Sequence, residues 1–158
     1  MRIKQPGFID EGLWLLGKEE SCVYLLEGSH SSALISAGMS YILPVVFRQM
    51  DLWGINEKKI KHIIILHAHF DHVGVVPYLK RKWPYVTIYA SARGWDVLSN
   101  PKAVSIINDY TLKVCSRVLG GTGALSTLDW KWRDDISGET LTEHDQFYLG
   151  GKTIEIYD

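Results

Sequence analysis

His62-Ile63-Ile64-Ile65-Leu66 is an unbroken, mostly β-branched apolar run that opens directly onto His67-Ala68-His69-Phe70-Asp71-His72. A strand without polar alternation is one covered on both faces, as happens in a sheet flanked by other layers. Its end then delivers the following six residues to the edge of that sheet. After Gly74 the stretch Val75 to Trp83 has helical spacing and stops before Pro84, and Val86-Thr87-Ile88-Tyr89 reads as another short strand. Strand, helix, strand is a β-α-β unit, so the expected fold class is α/β (α+β), built around a partly parallel sheet.

The rest of the chain fits around that unit. Gly12 to Gly17, Cys22 to Leu26 and Ser32 to Ile35 are short apolar segments; Glu27-Gly28-Ser29-His30 is a turn between the last two, which predicts an antiparallel meander. Ser40 is a candidate N-cap for a helix that carries Pro44 in its first turn and ends at Gly54. Ser91 caps a helical stretch to Leu98, and Asn100-Pro101 precedes a longer amphipathic helix that runs to about Leu119. Gly120-Gly121-Thr122-Gly123 lacks the preceding strand and the Lys-Ser/Thr of a phosphate loop, so it reads as a helix stop. Ala124 to Gly138 is irregular, and Leu141 to Ile156 carries a strand pair turned at Gly150-Gly151.

Charge and composition exclude several function classes. Seventeen Lys and Arg against 18 Asp and Glu give a net charge of -1, which offers no electrostatic footprint for nucleic acid. No apolar stretch approaches the roughly 20 residues that span a bilayer. The N-terminal Met1-Arg2-Ile3-Lys4 has charge without the apolar run of a secretory signal, so a cytoplasmic location is expected. Cys22 and Cys115 have no short spacing and are read as buried small hydrophobes. With 46% apolar positions, the 158 residues are expected to form one domain.

Three of six histidines and one aspartate within six residues are more than packing asks for. In an extended segment His67 and His69 point to one side and can converge on one metal ion. Asp71 keeps that parity but is carried roughly 6–7 Å further, which suits a second ion. His72, at the turn into the helix, can join Asp71 there, with the ions about 3.5–4 Å apart as in two-metal hydrolases. His62, His30 and His144 are read as solvated or hydrogen-bonded histidines. Trp130 and Trp132 are read as caps on the core rather than walls of a metal cleft, and Asp134-Asp135 as a solvated turn.

His67-x-His69-x-Asp71-His72, after a hydrophobic strand and before a helix, resembles the signature motif of the metallo-β-lactamase-fold superfamily. The N-terminal meander, Leu34-Ile35-Ser36-Ala37-Gly38 and the Leu149-Gly150-Gly151-Lys152-Thr153 hairpin extend the likeness over most of the chain. The resemblance implies a four-layer αββα sandwich, with His67 and His69 as ligands of a first metal and Asp71 and His72 of a second. It also implies a dinuclear site, zinc by preference with iron or manganese as alternatives, in which a metal-bridging hydroxide opens a small-molecule ester, thioester, lactone or lactam. Asp71 is then the catalytic group that orients the hydroxide or takes its proton.

Two departures shape the expectation. The family completes its sites with a further histidine, a bridging aspartate and a last histidine, all after a strand like Lys152 to Tyr157, and here the sequence stops at Asp158. The chain is therefore expected to be the N-terminal portion of the domain, with the C-terminal half largely absent and one sheet face left open for a second copy or a partner chain. Ser36 stands where the family commonly carries an aspartate, which alters support of the site. The competing readings are an iron-dependent oxidoreductase of the persulfide dioxygenase kind, and a non-catalytic half-domain that needs a partner.

Overall fold

The computed structural model describes residues 5–121 and 123–157; the readings that involve Met1 to Lys4, Thr122 and Asp158 lie outside them. Seven strands form the main sheet in sequence order: β1 (Gly7–Asp10), β2 (Leu13–Lys18), β3 (Ser21–Glu27), β4 (Ser32–Ile35), β5 (Ile60–Ile64), β6 (Thr87–Ser91) and β7 (Glu139–Leu141). β1 to β4 pair antiparallel, and from β4 through β7 every pairing is parallel. The α/β class and the meander are thus as expected. The added strand is β7, whose three residues directly follow the segment read as irregular and end at Leu141, where the strand pair was expected to begin.

Register explains the layering, because residues paired across strands point to the same side. Trp14, Leu25, Leu34, Ile63 and Ile88 form one row across β2 to β6. The last four are no more than 1% exposed and share a core with residues of α1 (Leu43–Leu52) and α3 (Val76–Lys82). On α1 the buried Leu43, Val46 and Met50 recur at helical spacing, with Pro44 in the first turn where its missing N–H costs nothing. Each fully buried Leu or Ile contributes about 1.5–3 kcal/mol. This face is what holds the domain together.

The next row, Leu15, Tyr24, Ile35, Ile64 and Tyr89, looks the other way and is unevenly covered. Leu15 and Ile64 are buried while Tyr24 is 40% exposed, and His62 is half-buried. The strand read as covered on both faces is therefore fully packed on one face only. Part of the second face is covered by the hairpin β8 (Gln146–Tyr148) and β9 (Thr153–Glu155), whose Phe147 ring packs against His62 and Tyr89 at 5.5 and 4.7 Å. Gly150 and Gly151 turn this hairpin at φ of 88° and 75°, as the glycine pair predicts. Its turn is sewn to the β3–β4 loop by Ser29 N–H to the Gly150 carbonyl (2.9 Å) and by His30 and Ser31 N–H to the Leu149 carbonyl.

Ser40 is not the N-cap of α1. It lies in a one-turn 3-10 helix (Ser40–Ile42), fully buried, and its hydroxyl donates to the Gly74 carbonyl at 2.7 Å. The N-cap position of α1 is Ile42, two residues later, and it carries no side-chain cap. Ser91 does cap α4 (Ala92–Leu98), accepting from Gly94 N–H, and Asn100 caps α5 (Pro101–Leu119), which Gly120 ends in the left-handed conformation. The long segment after α5 opens with the short α6 (Gly123–Ser126). Trp130 and Trp132 are buried, with Trp132 held by Asn108 and by Leu98, so both cap the core.

Three polar readings change with the packing. Asp135 is not simply solvated: Arg81 donates to both its oxygens and holds its carboxyl below the usual value. Lys59 and Lys80 donate to the backbone carbonyls of Gly28 and Val86. Cys115 is buried, but Cys22 is only half-buried.

Candidate metal centre

The histidine segment begins just past the C-terminal end of β5, in the middle of the parallel part of the sheet. The chain bends at Leu66, is extended at His69 (φ -87°, ψ 151°) and then turns into the one-turn helix α2 (Phe70–Val73), closed by His72 N–H to the His69 carbonyl at 2.9 Å. That turn replaces the extended continuation read for Asp71, so Asp71 and His72 sit together on α2 rather than farther along a strand.

The first turn beyond the strand is anchored from below. Ala37 bridges Val73, Val75 N–H reaches the Gly38 carbonyl, and the Ser40 hydroxyl reaches the Gly74 carbonyl. Gly74 is needed for this approach, since a Cβ there would stand 2.8 Å from Gly38 O, Met39 Cα and Ser40 N. At the head of the same segment Ser36 is 6% exposed and adopts φ 61°, a conformation that costs a serine roughly 1–2 kcal/mol. Its N–H is held by the Ile64 carbonyl, and its Oγ lies 2.9 Å from His72 Nδ1.

His67 is the hub of the cluster. Its ring centroid is 4.0 Å from that of His72 and 4.8 Å from that of His69, the second pair at right angles. His72 Nε2 lies 3.6 Å from Asp71 Oδ2. Loss of solvent and the two neighbouring imidazoles push the His67 pKa down, which favours the neutral ring that a metal requires. His67, His69 and Asp71 are exposed and His72 is half-buried. The structure therefore gathers all four expected residues at one place. Their rings pack on one another instead of aiming at one point, and among the described residues no three His, Cys, Asp or Glu side chains are set to hold an ion.

The donor chemistry nevertheless fits a metal. Three imidazoles and a carboxylate on one edge form a set suited to zinc, and the Ser36 contact fixes one ring nitrogen of His72 and leaves the other free, as outer partners of metal-bound histidines do. Beside the cluster a cavity of about 470 Å³ is lined by His67, His69, Leu66, Val97, Ser91 and Arg93. Arg93 was not among the residues singled out from the sequence. The available signal was its place two residues past the end of β6, where sheets of this class collect ligands.

The other histidines are structural. His144 pairs with Glu155 at 3.5 Å, His30 meets the Tyr148 ring edge-on, and His62 packs among aromatic rings. No helix among the described residues is long and apolar enough to cross a membrane.

The sheet, antiparallel at its start and parallel from β4 onward, carries imidazole and carboxylate donors just past the end of a central parallel strand. The chain belongs to the metallo-beta-lactamase superfamily, whose family model matches residues 17–147. Among solved structures it is similar to a metallo-beta-lactamase from Cronobacter sakazakii with the HARLDQ motif (24% identity, TM-score 0.66, 94% of this chain and 52% of that one). It is also similar to GOB-18 from Elizabethkingia meningoseptica (22%, 0.68, 94% and 48%) and to FEZ-1 from Legionella gormanii (19%, 0.68, 94% and 50%). These likenesses establish the fold, and the chain spans about half the length of each of those proteins.

Proposed function

We propose that the chain forms the N-terminal part of a metal-dependent hydrolase, with His67, His69, Asp71 and His72 as its share of a dinuclear zinc site. The observation that carries this reading is the clustering of the four side chains at the end of β5, with Ser36 orienting His72. His67 and His69 would hold one ion, and Asp71 and His72 the other. Bound metal supplies an acidified water and polarises the oxygen of the scissile group. The chain's own residues do the rest. Ser36 holds His72 through Nδ1 and leaves Nε2 free to ligate. Asp71, whose Oδ2 lies 3.6 Å from His72 Nε2, would orient the attacking water or take its proton.

Two ligands per ion fall short of the three that catalytic zinc takes, so further donors come from beyond these residues, in more of the same domain or in a partner chain. The half-covered sheet face that carries Tyr24 is where such a partner, or a second copy, would dock. The substrate is a small-molecule ester, thioester, lactone or lactam, and the site of action is cytoplasmic. The test is hydrolysis of nitrophenyl acetate, a thioester, a lactone and a chromogenic β-lactam by zinc-loaded protein beside its H69A variant. A loss of at least about a hundredfold in kcat/KM for the hydrolysed member supports the reading. Equal rates, or iron with oxygen consumption, contradict it and point to the oxidoreductase alternative.

A further inference from the structure

We infer that Arg93 is the specificity-determining residue of this site and that it recognises an oxyanion, a carboxylate or a phosphate, on the substrate. The inference rests on the hydrolase reading for the identity of the bond that is cleaved, but not for the anion site itself. Arg93 lies in the first turn of α4, and the cavity it lines is shared with His67 and His69 and with the apolar Leu66, Ala68 and Val97. Two other arginines among the described residues have protein partners. Arg81 bonds both oxygens of Asp135 and the Asp129 carbonyl, and Arg133 bonds both oxygens of Asp129. Among the described residues no carboxylate or carbonyl pairs with Arg93, which is exposed. Asp71, the acid of the motif, lies beside His72, 3.6 Å from its Nε2, and not against Arg93.

A guanidinium presents a planar fork that matches the two oxygens of a carboxylate or phosphate. Held on a capped helix start beside the two imidazoles, it fixes the anionic end of a substrate in the cavity that those imidazoles line. Leu66 and Val97 then contact the apolar body between the anion and the scissile group. The site would therefore prefer esters, thioesters, lactones or lactams that bear an acidic group over neutral ones of the same size.

The test reads the Nε–H resonances of the arginines by NMR in metal-free protein at pH 8, where imidazoles with ordinary pKa values near 6.5 are neutral. Acetate and inorganic phosphate are titrated separately at constant ionic strength, with chloride as the control anion. Arg93 is expected to shift saturably with one of them, and the tighter anion identifies the substrate's acidic group. R93Q should weaken that binding by roughly tenfold, while R117Q, on the last turn of α5, leaves it unchanged. Shifts no larger than those with chloride, or binding retained in an R93Q protein whose circular dichroism is native, would overturn the assignment. A protein that binds the anion through Arg93 but takes up no zinc would refute the hydrolase reading alone, and zinc uptake with a silent Arg93 would refute this one alone.

Discussion

Ser36 is the residue on which the geometry of the candidate site turns. It carries a strained backbone and aims its hydroxyl at His72, so the two roles separate by substitution. S36A keeps the strain and removes the hydrogen bond; zinc affinity, measured by competition with a chelator, should fall by about 10–100-fold. S36G loses the same bond but relieves the strain, and its midpoint of thermal unfolding should exceed that of S36A by a few degrees, about 1 kcal/mol. Equal midpoints would show that the left-handed conformation costs the serine nothing. His62 offers a second test at this scale. Burial pushes its pKa down, so the folded chain disfavours the proton that the unfolded chain accepts. Stability is therefore full above the ordinary histidine pKa and declines as pH falls below about 6.5 toward the lower folded value. H62F, facing Tyr89 and Phe147, should flatten that decline in denaturant titrations at pH 7 and pH 5.

Elements divide into those whose ends are set locally and those set by contacts far along the chain. Ser91, Asn100-Pro101 and Gly120 mark α4 and α5 because caps act within a turn, and the Gly150-Gly151 pair marks its hairpin because only positive φ closes it. Ser40 misled because a 3-10 turn, held to the rest of the fold by the Ser40 hydroxyl on Gly74, 34 positions away, comes before α1 and moves the helix start to Leu43. β7 was hidden for the same reason: three residues, Glu139–Leu141, pair with β6 at long range and have no apolar alternation of their own. Within the site, the four ligand-type residues were legible from density and spacing. The stacking of their rings and the place of Arg93 were not, since both depend on how α2 turns and where β6 ends. The seam between hairpin and meander is testable. A Cβ at Gly28 would stand 2.0 Å from the Leu149 carbonyl, so G28A should lose about 1–3 kcal/mol, a drop of several degrees in melting temperature, as the hairpin is pushed off the sheet.

For the whole molecule, the contrast between the two sheet faces matters most. One is sealed by helices with its central residues fully buried; the other is half-covered, with Tyr24 exposed. Sedimentation velocity across a concentration series should reveal reversible dimerisation, and Y24E should suppress it without changing the circular dichroism. Y24E with an unchanged dimer would place the contact elsewhere. The central claim, that the end of β5 is a metal site, is tested most directly by equilibrium dialysis against a graded series of free zinc concentrations, beside H67A and H72A, since two protein ligands per ion hold metal weakly. About two zinc ions per chain, reduced in both variants while the fold is kept, is the expected result. Zinc content that is nil in the native protein, or equal in native and variant proteins, would contradict it.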